Sequence, residues 1–347
     1  MHPTLRLLPA LLLILSLLPG CGKPRAQLNL FVWSEYIDPK LIAEFEKLND
    51  CRVNVDYYED LEGMVAKLAS GGSSIYDIVV PDDTHMPALI KRGLLAPLRH
   101  ENVPNLRHIL PSFTTASFDP GNGYGAPSDW GTTGLFLRRT EGKPSPRGWG
   151  AVFNPAEQPG PFLLLEDPRA TIGAALRYDG HSLNSTNMAE LTQARDRLIE
   201  AKKRSLGFEG ATGCKNRVLS KGARVAMAYT GDAVRGMAED SETLYVTPIE
   251  GSQIWVDLLC IPAQAPHRDL AERFINFLLD PPVAARFVAF YRDATCNKSA
   301  LELVPPADRN NPAIYPPPEV LTRLEYARDL GEMNKLYDEI WLQIKSR

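Results

Sequence analysis

The sequence has no Cys-x-x-Cys pair and no cluster of cysteine with histidine, which argues against a zinc site. It has no Gly-x-Ser-x-Gly elbow, no His-Glu-x-x-His and no glycine-rich phosphate loop after a strand, so hydrolase and nucleotide chemistry lack their usual supports. Basic blocks interleaved with aromatics are missing as well, and the balance is −4, so nucleic acid is not an expected partner. No internal repeat and no low-complexity segment occurs. The one long apolar run, Leu7 to Leu18, is shorter than the roughly 20 residues a membrane-spanning helix needs. No cofactor motif is present. The six histidines (His2, His85, His100, His108, His181 and His267) are scattered in polar contexts, where solvated side chains are the default.

What is present describes a globular chain of two lobes: 347 residues, 44% hydrophobic and 23% charged. Prolines number 29, many of them in loops, which suits a rigid extracytoplasmic protein. Arg6 and the apolar run form a targeting segment over 1–20. It closes on Leu18-Pro19-Gly20-Cys21, which resembles a bacterial lipobox with Cys21 as the lipidated first mature residue, followed by a tether over 21–27. An ordinary signal peptide with Cys21 as a stray thiol is the alternative. Losing residues 1–20 removes Arg6 and no acid, which shifts the balance from −4 to −5. Cys51, Cys214, Cys260 and Cys296 remain. Export permits a disulfide, but four thiols allow three full pairings and none is assigned.

Along the chain, Leu28 to Val32 reads as a buried strand. Asp38-Pro39 then caps a helix carrying Leu41, Ile42, Phe45 and Leu48. Arg52 to Tyr57 alternates as a second strand, and Leu61, Met64, Val65 and Leu68 form a helical stripe that stops at Gly71-Gly72. Tyr76 to Pro81 is a third strand, discharging into Asp82-Asp83-Thr84 and a helix that ends at Gly93. This β-α-β-α-β-α opening predicts a parallel sheet covered by helices. Tyr124 to Leu137 reads as a strand crossing between lobes, Lys143 to Pro161 as loop, and Ala189 to Lys203 as an exposed helix. Val225 to Tyr229 and Ile254 to Pro262 are later strands, the second carrying one isolated acid, Asp257. A helix through Leu270 and Leu278 is broken by Pro281-Pro282, and Leu336, Ile340, Trp341 and Ile344 stripe a last helix.

Several of these strands end in aromatic or acidic residues: Trp33-Ser34-Glu35-Tyr36, Asp82-Asp83, Tyr229 with Asp232, and Trp255 with Asp257. Open α/β sheets bind ligands at the carboxyl ends of their strands. If these ends converge they line a slot of rings and carboxylates, suited to an organic cation such as a diamine or polyamine. Asp257, set among Val256, Leu258 and Leu259, needs a partner that a ligand cation would supply.

The chain resembles the periplasmic putrescine/spermidine-binding proteins of bacterial ABC importers along nearly its whole mature length. The motifs are Phe31 to Ile37, Tyr76 to Pro81, Trp130-Gly131-Thr132-Thr133-Gly134, Tyr229-Thr230-Gly231-Asp232, Ile254-Trp255-Val256-Asp257 and Asn311 to Pro317. The resemblance implies an α/β, two-lobed periplasmic-binding-protein fold of type II, each lobe a mixed, mostly parallel sheet flanked by helices. Lobe 1 would hold 28–134 and about 255–305, and lobe 2 about 135–254 and 306–347. It implies that Trp33, Tyr36, Tyr229, Trp255 and Tyr315 stack along the ligand, while Ser34, Glu35, Asp232 and Asp257 meet its amino groups. The implied protein is a monomer without catalysis or cofactor, lipid-anchored through Cys21 outside the cytoplasmic membrane and serving a membrane permease.

Departures from the family pattern bear on the ligand. Glu35 stands where Asp is frequent, and Asp82 where a small hydroxyl residue is, adding a carboxylate. Arg169 follows Pro168 where a ligand-pairing acid is usual, and Asp293 stands where an aromatic is, unless Tyr291 takes that place through a slip in the local alignment. Arg169 either faces the ligand, which would favour an ω-amino acid or other modified amine, or pairs with Asp82, Asp83 or Glu166. Two further alternatives are a hydrolase using two of the abundant carboxylates and an iron site at Tyr57-Tyr58, where packing is the simpler explanation.

Overall fold

The computed structural model describes residues 25–142 and 144–347. The targeting segment, Cys21 and the tether as far as residue 24 lie outside the described residues. Twelve strands form one curled sheet. The first five are β1 (Ala26–Trp33), β2 (Cys51–Tyr58), β3 (Ile78–Val79), β4 (Leu95–Ala96) and β5 (Gly125–Arg138). Next come β6 (Phe162–Leu165), β7 (Phe208–Glu209), β8 (Val225–Tyr229) and β9 (Thr243–Val246). The last are β10 (Gln253–Pro262), β11 (Ala294–Thr295) and β12 (Glu325–Tyr326).

The strand order is β2-β1-β3-β10-β5-β8-β6-β7, with β4 and β12 on β10 and β9 and β11 on β5. β1 runs parallel to both β2 and β3, and β6 parallel to both β7 and β8. The two parallel runs are joined through β10 and β5, antiparallel to each other and to their outer neighbours. This is the two-lobed α/β arrangement of the type II periplasmic-binding-protein fold, with β5 and β10 as its shared spine. The first half of β5 pairs with β10 up to Thr132, and from Thr133 it pairs with β8.

Leu28, Leu30 and Val32 on one face of β1 are fully buried and Phe31 on the other is 7% exposed, so the strand is covered on both sides toward its end. The strand starts at Ala26, two residues before the sequence suggested, because its ladder with β2 begins at Ala26 opposite Cys51. Asp38 caps the helix Pro39–Asn49 by accepting from Lys40 N, and Leu41 and Phe45 face the core. Leu48, expected on the same stripe, is 67% exposed. The third strand narrows to Ile78–Val79, since Asp77 turns its carboxylate to Asn29 N and His267 N.

Three segments differ from their sequence-based description. The loop between 143 and 161 contains a buried helical turn, Gly150–Phe153, anchored by Trp149 whose Nε1 donates to Gly251 O at 2.9 Å. The helix Met188–Arg204 is not wholly exposed. Its Leu191, Ala194 and Leu198 are fully buried, and it packs on the C-terminal helix Asn334–Ser346. Pro281 and Pro282 open a new helix, Pro281–Tyr291, because first-turn residues need no intrahelical N–H partner. Cys51, Cys214, Cys260 and Cys296 are buried free thiols. Among the described residues no helix is long and apolar enough to cross a membrane.

Candidate ligand-binding cavity

A cavity of about 380 Å³ opens where the strand ends meet across the spine. One wall comes from the β1–β3–β10 side: Trp33 and Ser34 at the end of β1, Asp82 and His85 after β3, and Gln253, Trp255 and Asp257 on β10. The last three alternate along the strand, so all project from one face. Tyr291 and Asp293, following the helix Pro281–Tyr291, close this wall. The facing wall is built by Asp167 and Arg169 after β6, Tyr229 ending β8, and Asp232 and Arg235 in the helix Thr230–Glu239.

Two glycines set the shape of this cavity. A Cβ on Gly131 would lie 2.4 Å from Trp255 Cζ2, so the bare backbone of β5 lets the indole lie flat against it. A Cβ on Gly231 would meet Asp293 Oδ2 at 2.6 Å. Trp255 and Tyr229 stand edge to face with ring centroids 5.9 Å apart, and Trp33 leans on Tyr58 at 4.6 Å. The indole Nε1 atoms of Trp33 and Trp255 are buried and have no protein partner.

On the first wall Asp82 is bonded to His85, whereas Asp257 and Asp293 form no ion pair among the described residues. Asp257 is 5% exposed and faces Asp129 directly across the β10–β5 ladder, at a register shift. Burial pushes the Asp257 carboxyl well up, and Asp129, Asp82, Asp293 and Asp83 add to it in that order. Burial likewise pushes Asp129 up to about 7, opposed by hydrogen bonds from Tyr36 and Ser128. The Tyr36 hydroxyl donates to Asp129 Oδ1 at 2.6 Å. Asp293 is raised by burial and by Asp129, with Arg235 opposing. Asp129 Oδ2 and Asp293 Oδ1 are buried without a partner. Carboxylates this close and this dry cannot all ionise without added positive charge. Among the described residues no three His, Cys, Asp or Glu side chains are arranged to hold a metal ion.

The charged groups nearest the second wall are partnered. Asp232 Oδ1 accepts from Arg235 Nη2 at 2.8 Å, and Arg235 Nη1 donates to Tyr291 O at 2.7 Å. The Arg235 guanidinium also lies over the Tyr291 ring, 5.0 Å from its centroid. Asp167 caps the helix Pro168–Tyr178 through Ala170 N and accepts the Tyr229 hydroxyl at 2.6 Å. On the first wall, His85 Nδ1 lies 2.6 Å from Asp82 Oδ1. Burial alone would lower the His85 pKa, but the Asp82 charge and hydrogen bond overcome it and hold the imidazole up to about 9. His85 is therefore a cation at neutral pH.

Of the residues expected from sequence, Trp33, Ser34, Asp82, Tyr229, Asp232, Trp255 and Asp257 line the cavity, and so do Arg169 and Asp293. Three do not. Tyr36 is fully buried behind the wall, its hydroxyl taken by Asp129 and Ser128. Tyr315 packs edge-on against Trp130 and accepts from Thr295 N. Glu35 turns outward with φ of 57° and reaches only to 3.9 Å from Arg235 Nε. Arg169 pairs with none of Asp82, Asp83 or Glu166. Its Nη atoms donate to Arg328 O, Asn334 and Asn184, and it lies over the Tyr337 ring. Nor is Asp257 isolated, since the β5 ladder brings Asp129 opposite it.

Sequence reasoning passed over Asp129, His85, Arg235 and Gln253. A three-residue spacing from Asp82 to His85 and from Asp232 to Arg235 was the available signal for two of them. Nothing local marks Asp129, whose role depends on what lies across the sheet.

Fold and cavity together define an extracytoplasmic binder of small solutes, and the chain belongs to the bacterial extracellular solute-binding protein family, whose profile matches residues 40–315. It is 30% identical to the putrescine/cadaverine-binding protein of Pseudomonas aeruginosa, over 97% of this chain and 99% of that one. It is 29% identical to the spermidine/putrescine-binding periplasmic protein of Escherichia coli, over 92% and 91%. Among solved structures it superposes on the spermidine/putrescine ABC transporter substrate-binding protein PotD of Streptococcus pneumoniae. The TM-score there is 0.81 at 27% identity, covering 92% of this chain and 99% of that chain.

Proposed function

We propose that this protein captures an elongated aliphatic amine, a diamine or polyamine, and delivers it to the permease of an ABC importer without catalysing any reaction. One observation carries the reading: the buried acids Asp257 and Asp293 line the cavity, Asp129 lies directly across the ladder from Asp257, and the nearest fixed cations are already paired with other acids. An ammonium supplies the missing charge, and the faces of Trp33, Trp255 and Tyr229 take its methylene chain. The names of the Pseudomonas and Escherichia relatives support the same class. An ω-amino acid fits less well, because both Nη atoms of Arg169 already donate within the protein, to Arg328 O, Asn334 and Asn184. Ligand contacts to both walls exist only when the lobes are closed, so binding selects that state. The proposed lobes are 28–134 with about 255–305, and about 135–254 with 306–347. The protein works as a monomer outside the cytoplasmic membrane, held by lipid on Cys21. A lipoprotein of Treponema pallidum with the same fold, at 26% identity and a TM-score of 0.81, supports that placement.

A thermal-shift panel of putrescine, cadaverine, spermidine, agmatine and 4-aminobutyrate tests this. Ligand at a hundred times its Kd stabilises by about 2.7 kcal/mol, an easily measured rise in Tm. The amines should raise Tm and 4-aminobutyrate should not. Silence toward every amine would overturn the reading.

A further inference from the structure

We propose that the acid-rich end of the cavity is built for a guanidinium rather than an ammonium, so that the preferred ligand is an alkylamine with a guanidino group at its other end. This inference rests on the amine reading above. Three features point to it.

The first is an excess of acceptors. Asp257 faces the cavity with four other carboxyls acting on it, and of these acids only Asp82 is bonded to a cation, His85. Asp293, 3% exposed, leaves Oδ1 without a partner. Both side chains line the cavity. An ammonium offers three donors around a point, whereas a guanidinium offers five in a plane, two of which match one carboxylate side by side.

The second is depth. A guanidinium is more weakly hydrated than an ammonium and stays charged, so the same burial costs it less. The third is a precedent inside the cavity. The protein's own Arg235 guanidinium is held against Asp232 and over the Tyr291 ring. Asp257 and Trp255, on one face of β10 with Asp293 beside them in the lining, offer the same pairing of carboxylate with ring to a second guanidinium. The ammonium at the other end of the ligand would meet the exposed rim, where Glu59 and Asp60 line the mouth beside Ser34.

Isothermal titration calorimetry of the intact protein decides the matter, with agmatine and putrescine as probes. Agmatine should bind at least about tenfold more tightly than putrescine. Asp293→Asn keeps the shape and removes one charge. It should cost agmatine about tenfold and putrescine less than about threefold. Putrescine equal to or tighter than agmatine overturns the inference while leaving the amine reading intact, as does an Asp293→Asn variant that weakens both probes alike. If neither probe binds, the amine reading itself falls, and this inference with it. Should Asp293→Asn fail to fold, the ranking of the two probes on the unaltered protein still decides.

Discussion

The two walls of the cavity carry acids of opposite kinds. On the β1–β3–β10 side Asp82 holds His85, but Asp257 and Asp293 form no ion pair, and Asp129 lies buried on β5 across the ladder from Asp257. On the β6–β8 side Asp167 and Asp232 are already satisfied, by a helix N-terminus and a tyrosine in one case and by Arg235 in the other. A satisfied acid holds architecture, whereas an unsatisfied one waits for charge from outside. The contrast teaches that discrimination between ligands resides on one wall, and that the other presents a finished surface of rings and ion pairs.

If so, the largest loss should come from the unsatisfied side. Asp257→Asn should weaken amine binding by an order of magnitude or more, as a charged hydrogen bond in a dry site is worth about 1.5–3 kcal/mol. Unchanged affinity by calorimetry would remove Asp257 from the site. Next in size is Gly131→Ala. The added methyl would collide with Trp255 at 2.4 Å and drive the indole into the cavity. Affinity should drop about tenfold, the worth of one aromatic cation contact, with a smaller change in Tm. Equal affinity with a lowered Tm would mean that Trp255 yields without touching the ligand.

Arg235→Ala probes the finished wall and should reverse the pattern. Breaking its partly buried pair with Asp232 should cost stability, by roughly 1–3 kcal/mol, while amine affinity holds or rises because a competing cation has gone. A loss of affinity as large as that of Asp257→Asn would erase the distinction between the walls. A separate contrast lies in pH. Asp129 titrates near 7 when folded, against an ordinary carboxylate value in the unfolded chain. The folded state thus holds the extra proton, and ligand-free stability should fall as pH rises from about 5 to 8. Amine affinity should rise over the same range as the acids ionise. Melting curves with and without putrescine at each pH should therefore diverge.

Much of this was legible in the sequence, for reasons that are local. Asp38-Pro39 at a helix start, the apolar run of β1 and the alternation that puts Trp255 and Asp257 on one face are properties of neighbouring residues. What stayed hidden depends on the far side of the sheet. Asp129 reads as one polar residue in a glycine-rich strand until β10 brings Asp257 opposite it. Tyr36 was correctly placed at the end of β1, but a residue's distance from a strand end does not say whether its ring faces the cavity or the core. His85 resembled any surface histidine because its pairing with Asp82 requires a turn whose geometry the residue types alone do not dictate.

Strand β5 has one further consequence. It is hydrogen-bonded to β10 and β11 along one stretch and to β8 and β9 along the next, with Thr132 bonded to Thr230 and Tyr245 near the changeover. An amide in its middle is released to solvent only when both half-sheets part, so its hydrogen exchange reports unfolding of the whole molecule rather than of either half. Whatever motion admits a solute has to bend this strand without breaking it.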